Sequence, residues 1–239
     1  MNRISALAWF FTKDLFRSLA GIVPLAVALA FGIIAFEYGM DQAQFITVAG
    51  LGTGAICLLT ALLLSSRANR ASSSLVITRL HRRSELLVAL VLTSLGITTA
   101  LAVPIASGNL LAGRLALSFP SALWILPTWM PLWLLAGALA LPLSALVSRG
   151  GSHLLSYVLL AVLLIANDRK AMLTSHGLDW LSQGVSTLLW PISTLLAQAS
   201  SGIHDRSYWL AGTLTLVYTG LLLAAAISLF EDKDLLWSE

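Results

Sequence analysis

The sequence predicts an all-α, polytopic membrane protein. It has six transmembrane helices, an N-terminal interfacial helix, and a short re-entrant or interfacial hairpin before the last span. Three observations carry that expectation. Charged residues make up only 10% of the 239-residue chain and apolar residues 58%, against roughly a quarter charged in an average soluble domain. At a mean hydropathy of +0.87, a chain of this size cannot fold all its apolar surface away from water, so lipid must cover part of it. Apolar runs suited to spans of about 20 residues recur along the chain, and Lys and Arg gather between alternate runs, as orientation in a membrane requires.

Residues 1–18 read as an amphipathic interfacial helix. Ile4, Leu7, Ala8, Phe11, Leu15 and Leu19 recur at helical spacing, while Arg3, Lys13, Asp14 and Arg17 fill polar positions. Trp9 and Phe16 suit headgroup level. A cytosolic lead-in to the first span is the plainer alternative. Lys13, Asp14 and Arg17 interrupt the apolar run and no small-x-small site follows, so the start does not read as a cleaved signal peptide.

Six apolar runs follow, at 19–36, 45–64, 86–106, 123–147, 154–166 and 209–230. The fourth contains Pro127, Pro131 and Pro142, which membrane helices accept when neighbours satisfy the freed carbonyls. It is expected to be kinked or to begin with a non-helical turn. The fifth reaches a full span if it begins at Gly150 or Gly151.

With the N-terminus cytoplasmic, Arg3, Lys13, Arg17, Arg67, Arg70, Arg79, Arg82, Arg83, Arg149 and Lys233 fall inside. Arg114, Arg169, Lys170 and Arg206 fall outside. That ten-to-four division favours both termini inside. It also makes the net charge of +3 topology information and not a footprint for nucleic acid. Between the last two spans lies an extracytoplasmic segment, 167–208. It carries an apolar patch of Leu188, Leu189, Trp190, Ile192, Leu195 and Leu196 interrupted by Pro191. Two readings fit it: a re-entrant or interfacial hairpin, or a surface helix packed on the outer ends of the spans. No repeat or low-complexity linker divides the chain, which reads as a single domain, 1–239.

The spans are nearly free of ionisable groups; Glu37 and His153 fall at span ends. An ion-driven carrier usually places a carboxylate near mid-membrane, so that class is disfavoured. His81, His153, His176 and His204 show no helical metal spacing. A site from His176, His204, Asp179 and Asp205 is imaginable, but solvated loop residues are the simpler reading, and no metal or cofactor is expected. None of the three lysines, Lys13, Lys170 and Lys233, follows a glycine, so the chain has no P-loop, whose lysine must reach the terminal phosphates. Energy must come from another chain or an ion gradient, and this chain is not expected to be an enzyme. The lone cysteine, Cys57, excludes an intrachain disulfide. Ser and Thr in the spans, among them Thr53, Thr60, Thr93, Ser94, Thr98, Thr99 and Ser144, accompany Gly50, Gly52 and Gly54. They suit close packing and interhelical hydrogen bonds.

In four places the layout resembles the permease subunit of a type-2 ABC exporter, the family of drug, polysaccharide and bacteriocin export permeases. FTKDLFRSL (11–19) is similar to the interfacial helix before the first span. SSLVITRLHRRSELLVALVL (73–92) resembles the coupling loop running into the third. LLWPISTLL (188–196) resembles the proline-containing extracytoplasmic hairpin, and LFEDKDLLW (229–237) the end of the sixth span. One departure stands out. Where the family carries an acidic, glycine-containing stretch ahead of the coupling leucines, this chain reads RANRASSS (67–74).

The resemblance implies a cytoplasmic (inner) membrane location and a second permease chain, identical or related. It also implies two ATP-binding cassette subunits carrying the ATP and Mg. The cytoplasmic loop 66–85 would then couple to the ATPase through Arg79, His81, Arg82, Arg83, Ser84 and Glu85. Lys13, Asp14 and Arg17 would belong to the interfacial helix, and Trp190 and Pro191 to the hairpin. The cargo would be lipophilic or amphipathic, moved by alternating access. The rival functions are a membrane scaffold or assembly subunit that transports nothing, and an ion-coupled secondary transporter.

Overall fold

The computed structural model describes residues 3–38, 40–69, 83–113, 115, 119–147 and 179–231. These are helical, with no strand among the described residues. The helices are α1 (Arg3–Phe16), α2 (Ile22–Tyr38), α3 (Gln42–Ala68), α4 (Arg83–Leu111), α5 (Phe119–Leu143), α6 (Asp179–Ser200) and α7 (Arg206–Glu231), with a 3₁₀ turn, Leu19–Gly21, joining α1 to α2. Five stretches are long and apolar enough to cross a membrane: Leu19–Glu37, Gln42–Ala68, Ser84–Leu111, Ala122–Leu143 and Arg206–Glu231. They match the sequence-based runs to within a few residues. The remaining expected run, 154–166, lies outside the described residues.

α3 is the hub, packed against α2, α4, α5 and α6, while α7 lies on α5 and α6. Burial follows that arrangement: 56% of the spanning window of α3 and of α4 is covered, but only 22% in the first span and in α7. The outer helices therefore show Leu25, Leu29, Ile33, Val217 and Leu221 at the surface. A contiguous apolar surface of this kind is what lipid or another membrane helix covers, and it points to a membrane protein.

α5 runs as one helix through Pro127, Pro131 and Pro142, and its tryptophans bond across to α3. Trp129 Nε1 donates to the Ile46 carbonyl at 3.0 Å, and Trp133 Nε1 donates to Thr53 Oγ1 at 2.9 Å. Thr53 in turn donates back to the Ala49 carbonyl at 2.6 Å. Gly50 makes this approach possible, because a Cβ there would lie 2.7 Å from the Trp129 ring nitrogen.

α6 is one helix through Trp190 and Pro191. The apolar patch that the sequence shows as broken by Pro191 is thus continuous. Its Leu195, Leu196 and Ala199 pack on Ile46, Leu132, Tyr208 and Ala211, from the starts of α3 and α7 and from α5. Within 179–200 this agrees with a helix packed on the ends of the spans. The residues that would complete a hairpin, 148–178, lie outside the described part. α6 stops at Gly202, whose φ of +70° only glycine adopts freely, with Ile203 N–H donating to the Gln198 carbonyl and Gly202 N–H to that of Ala199. That is the Schellman closure of a helix.

Candidate functional site: the end of the bundle that carries α1

α1 packs on α4, meets the last turn of α3 through Asp14 and Arg67, and shares one apolar core with the ends of α3, α5 and α7. The amphipathic period of α1 turns Phe11 and Leu15 inward, 2% and 0% exposed. They join Leu64, Ala68, Leu86, Leu87, Leu90, Leu141, Leu146, Ala226 and Phe230 in a leucine-rich apolar core. Leu15 sits where the helix turns sharply, and Ser18 Oγ donates to its carbonyl at 2.8 Å.

Two polar contacts fasten α1 to the spans. Arg67 Nε, in the last turn of α3, donates to Asp14 Oδ2 at 2.7 Å, with the arginine side chain 14% exposed and the aspartate 39%. Thr93 Oγ1, ten residues into α4, lies 3.3 Å from the Ala8 carbonyl as well as 2.7 Å from its own Ala89 carbonyl. α1 is thus not a free interfacial helix; it is packed lengthwise on α4.

Arg79, His81 and Arg82 lie outside the described residues. Arg83 opens α4. Ser84 and Glu85 are half-buried in the same first turn, and the Glu85 Oε2 atom is buried without a hydrogen-bond partner among the described residues. Lys13 and Arg17 are exposed. The structure brings Asp14 to Arg67, a residue the sequence offered as an orientation signal and as part of the coupling loop 66–85, and places Arg67 in the last turn of α3. Trp190 and Pro191 belong elsewhere, on α6, with Pro191 buried and Trp190 41% exposed.

At the opposite end the rings gather. The His204 imidazole stacks on Trp124 with centroids 4.0 Å apart and planes at 23°, and Tyr208 meets it edge-on at 4.9 Å. Trp209 meets Trp124 and Tyr208 edge-on, and the Tyr208 and Thr128 hydroxyls share a hydrogen bond of 3.0 Å. His204 is therefore packed into a ring cluster and not a solvated loop residue. Asp205 accepts from the Ser207 and Tyr208 amides as the cap of α7. Among the described residues no three His, Cys, Asp or Glu side chains gather as a metal would need. Comparison with known protein families, curated proteins and solved structures finds no match to the chain.

Proposed function

We propose that the chain is the membrane permease subunit of an ATP-driven export complex, with six spans, both termini cytoplasmic, and a second permease chain at its side. The observation that carries this reading is the junction of α1 with the inner turns of α3 and α4. Residues 70–82 join those two helices, so a push on that segment by an ATP-binding subunit would act on α3 and α4. Asp14–Arg67 and Thr93–Ala8 would pass it to α1 and, through the 3₁₀ turn, to α2. Movement between two packings of this kind is how an energy-driven switch works. Under this reading Arg79, His81, Arg82, Arg83, Ser84 and Glu85 face the ATPase, and the exposed sides of α2 and α7 face lipid or the second permease chain. Segment 167–208 is the extracytoplasmic cover.

A scaffold that transports nothing is the second reading, favoured by the filled interior, where Trp129 and Trp133 occupy the space between α3 and α5. Co-expression with an ATP-binding subunit separates the two. Export predicts co-purification and ATPase activity in the complex that Arg82→Glu with Arg83→Glu weakens or uncouples from transport. A chain that retains no ATPase at all when co-expressed would leave only the scaffold.

A further inference from the structure

Between α1 and α4 lies an open groove of about 360 Å³, lined by Trp9, Thr12 and Phe16 from α1 and by Leu92, Gly96 and Ala100 from α4. Its volume is in the range of about 300–1,000 Å³ typical of ligand pockets. We propose that this groove holds one acyl chain of an anionic phospholipid of the bilayer, whose phosphate is taken by Lys13 and Arg17. The inference does not depend on the export reading.

Direction comes first. From Leu92 to Ala100 the groove follows α4 for about 12 Å, at 1.5 Å per residue, so it is aligned with a span, as an acyl chain in a leaflet is. Shape comes second. The floor is open at Gly96, where a Cβ would meet no atom within 4 Å. Trp9 and Phe16, 66% and 59% exposed, stand at its rim on the side away from the leucine-rich core.

Charge selects the occupant. Neither Lys13 nor Arg17 lines the groove, but Lys13 is one helical turn from the lining residues Trp9 and Phe16, and Arg17 follows Phe16 at the end of α1, so both long side chains start beside the Phe16 end of the groove. Both are exposed, and the single ion pair among the described residues is the one between Asp14 and Arg67. Long basic side chains lay apolar stems along such a surface and carry the charge to headgroup level, where anionic lipid attracts it. A zwitterionic lipid brings the same phosphate already balanced by its own cation, so the net negative charge of an anionic headgroup is what the two basic side chains select.

Native mass spectrometry of the full-length protein, released from micelles containing either phosphatidylglycerol or phosphatidylcholine, tests this directly. Wild type should retain phosphatidylglycerol selectively. Lys13→Gln with Arg17→Gln should lower that retention about thirtyfold, the equivalent of two cations at about 1 kcal/mol each. Gly96→Phe, whose Cβ meets no atom within 4 Å and whose ring would occupy the groove, should abolish retention of both lipids. Arg206→Gln, which removes a cation at the opposite end, should change nothing. Equal retention of the two lipids by wild type overturns the proposal. So does unchanged retention in the Gly96→Phe protein, or a loss in Arg206→Gln as large as in the double variant.

Discussion

The two ends of the bundle are closed by different chemistry. Where α1 docks, the closure is mostly leucine: Leu15, Leu64, Leu86, Leu87, Leu90 and Leu141 are all within 1% of complete burial, with Phe11 and Phe230 buried beside them, and one ion pair supplies direction. At the far end and into the middle of the bundle, closure is aromatic and directional. Trp129 and Trp133 donate to named acceptors on α3, and Trp124, His204, Tyr208 and Trp209 meet at set angles. Leucine packing is non-directional, so neighbouring helices can shift against each other and re-pack at small cost. Indole hydrogen bonds and ring stacks tolerate little displacement. One end is thus held by directional bonds and the other by close apolar packing with a single ion pair.

The largest effect that would break this contrast is expected at Trp133, 2% exposed. Trp133→Ala should cost about 3–5 kcal/mol from the lost ring, seen as a large fall in the unfolding midpoint in detergent. A leucine swap at the other end, Leu90→Met, should cost below about 1.5 kcal/mol. Comparable losses in the two variants would remove the distinction.

Next come the glycines of α3. Gly50→Ala drives a methyl to within 2.7 Å of the Trp129 ring and should cost about 1–3 kcal/mol by overpacking. Gly54→Ala, two residues past the Gly52 position and with nothing within 4 Å of its Cβ, should instead gain up to about 1 kcal/mol of helix propensity. The difference between the two midpoints is the measurement.

His204→Ala follows. The loss of its contacts with Trp124 and Tyr208, at about 0.5–1.5 kcal/mol per ring pair, is partly offset because a buried Nε2 atom with no hydrogen-bond partner among the described residues disappears too. A net cost of about 1 kcal/mol is expected. His204→Phe keeps a ring without that nitrogen and should recover most of it. A midpoint for His204→Phe as low as for His204→Ala would mean that the imidazole nitrogen, and not the stack, holds this end.

How far this was legible in the sequence depends on what each feature rests on. Five of the six expected runs were, because each is a local apolar stretch: 45–64 became Gln42–Ala68 and 209–230 became Arg206–Glu231. The apolar period of α1 was legible too, but not its lengthwise seat on α4; a periodic face looks the same whether protein or lipid covers it. The partners of Trp129 and Trp133 were invisible, being a main-chain carbonyl and a hydroxyl more than seventy residues away. So was Asp14–Arg67, for the same reason of sequence distance. His204 read as a loop residue because polar neighbours surround it in sequence, whereas Trp124 reaches it only in the fold. Pro191 suggested a break; within α6 it is buried and the helix passes through it.

The smallest expected effect is the most direct test of how α1 is held. Asp14–Arg67 is partly exposed on the aspartate side, so its strength is that of a favourable surface pair and not of a buried one. Asp14→Asn and Arg67→Gln should each cost about 1 kcal/mol, and the double variant less than their sum, leaving a coupling of about 0.5–1 kcal/mol from the cycle. Raising salt should shrink that coupling, because screening reaches exposed charges first. Thr93→Val serves as the comparison. Its hydroxyl is already satisfied by Ala89, and the 3.3 Å approach to Ala8 is long, so its loss should cost below about 0.5 kcal/mol and leave the cycle unchanged. A coupling indistinguishable from zero at low salt would mean that Phe11 and Leu15 alone seat α1. The ion pair would then mark position without contributing to it, and α1 would be held by the leucine-rich core.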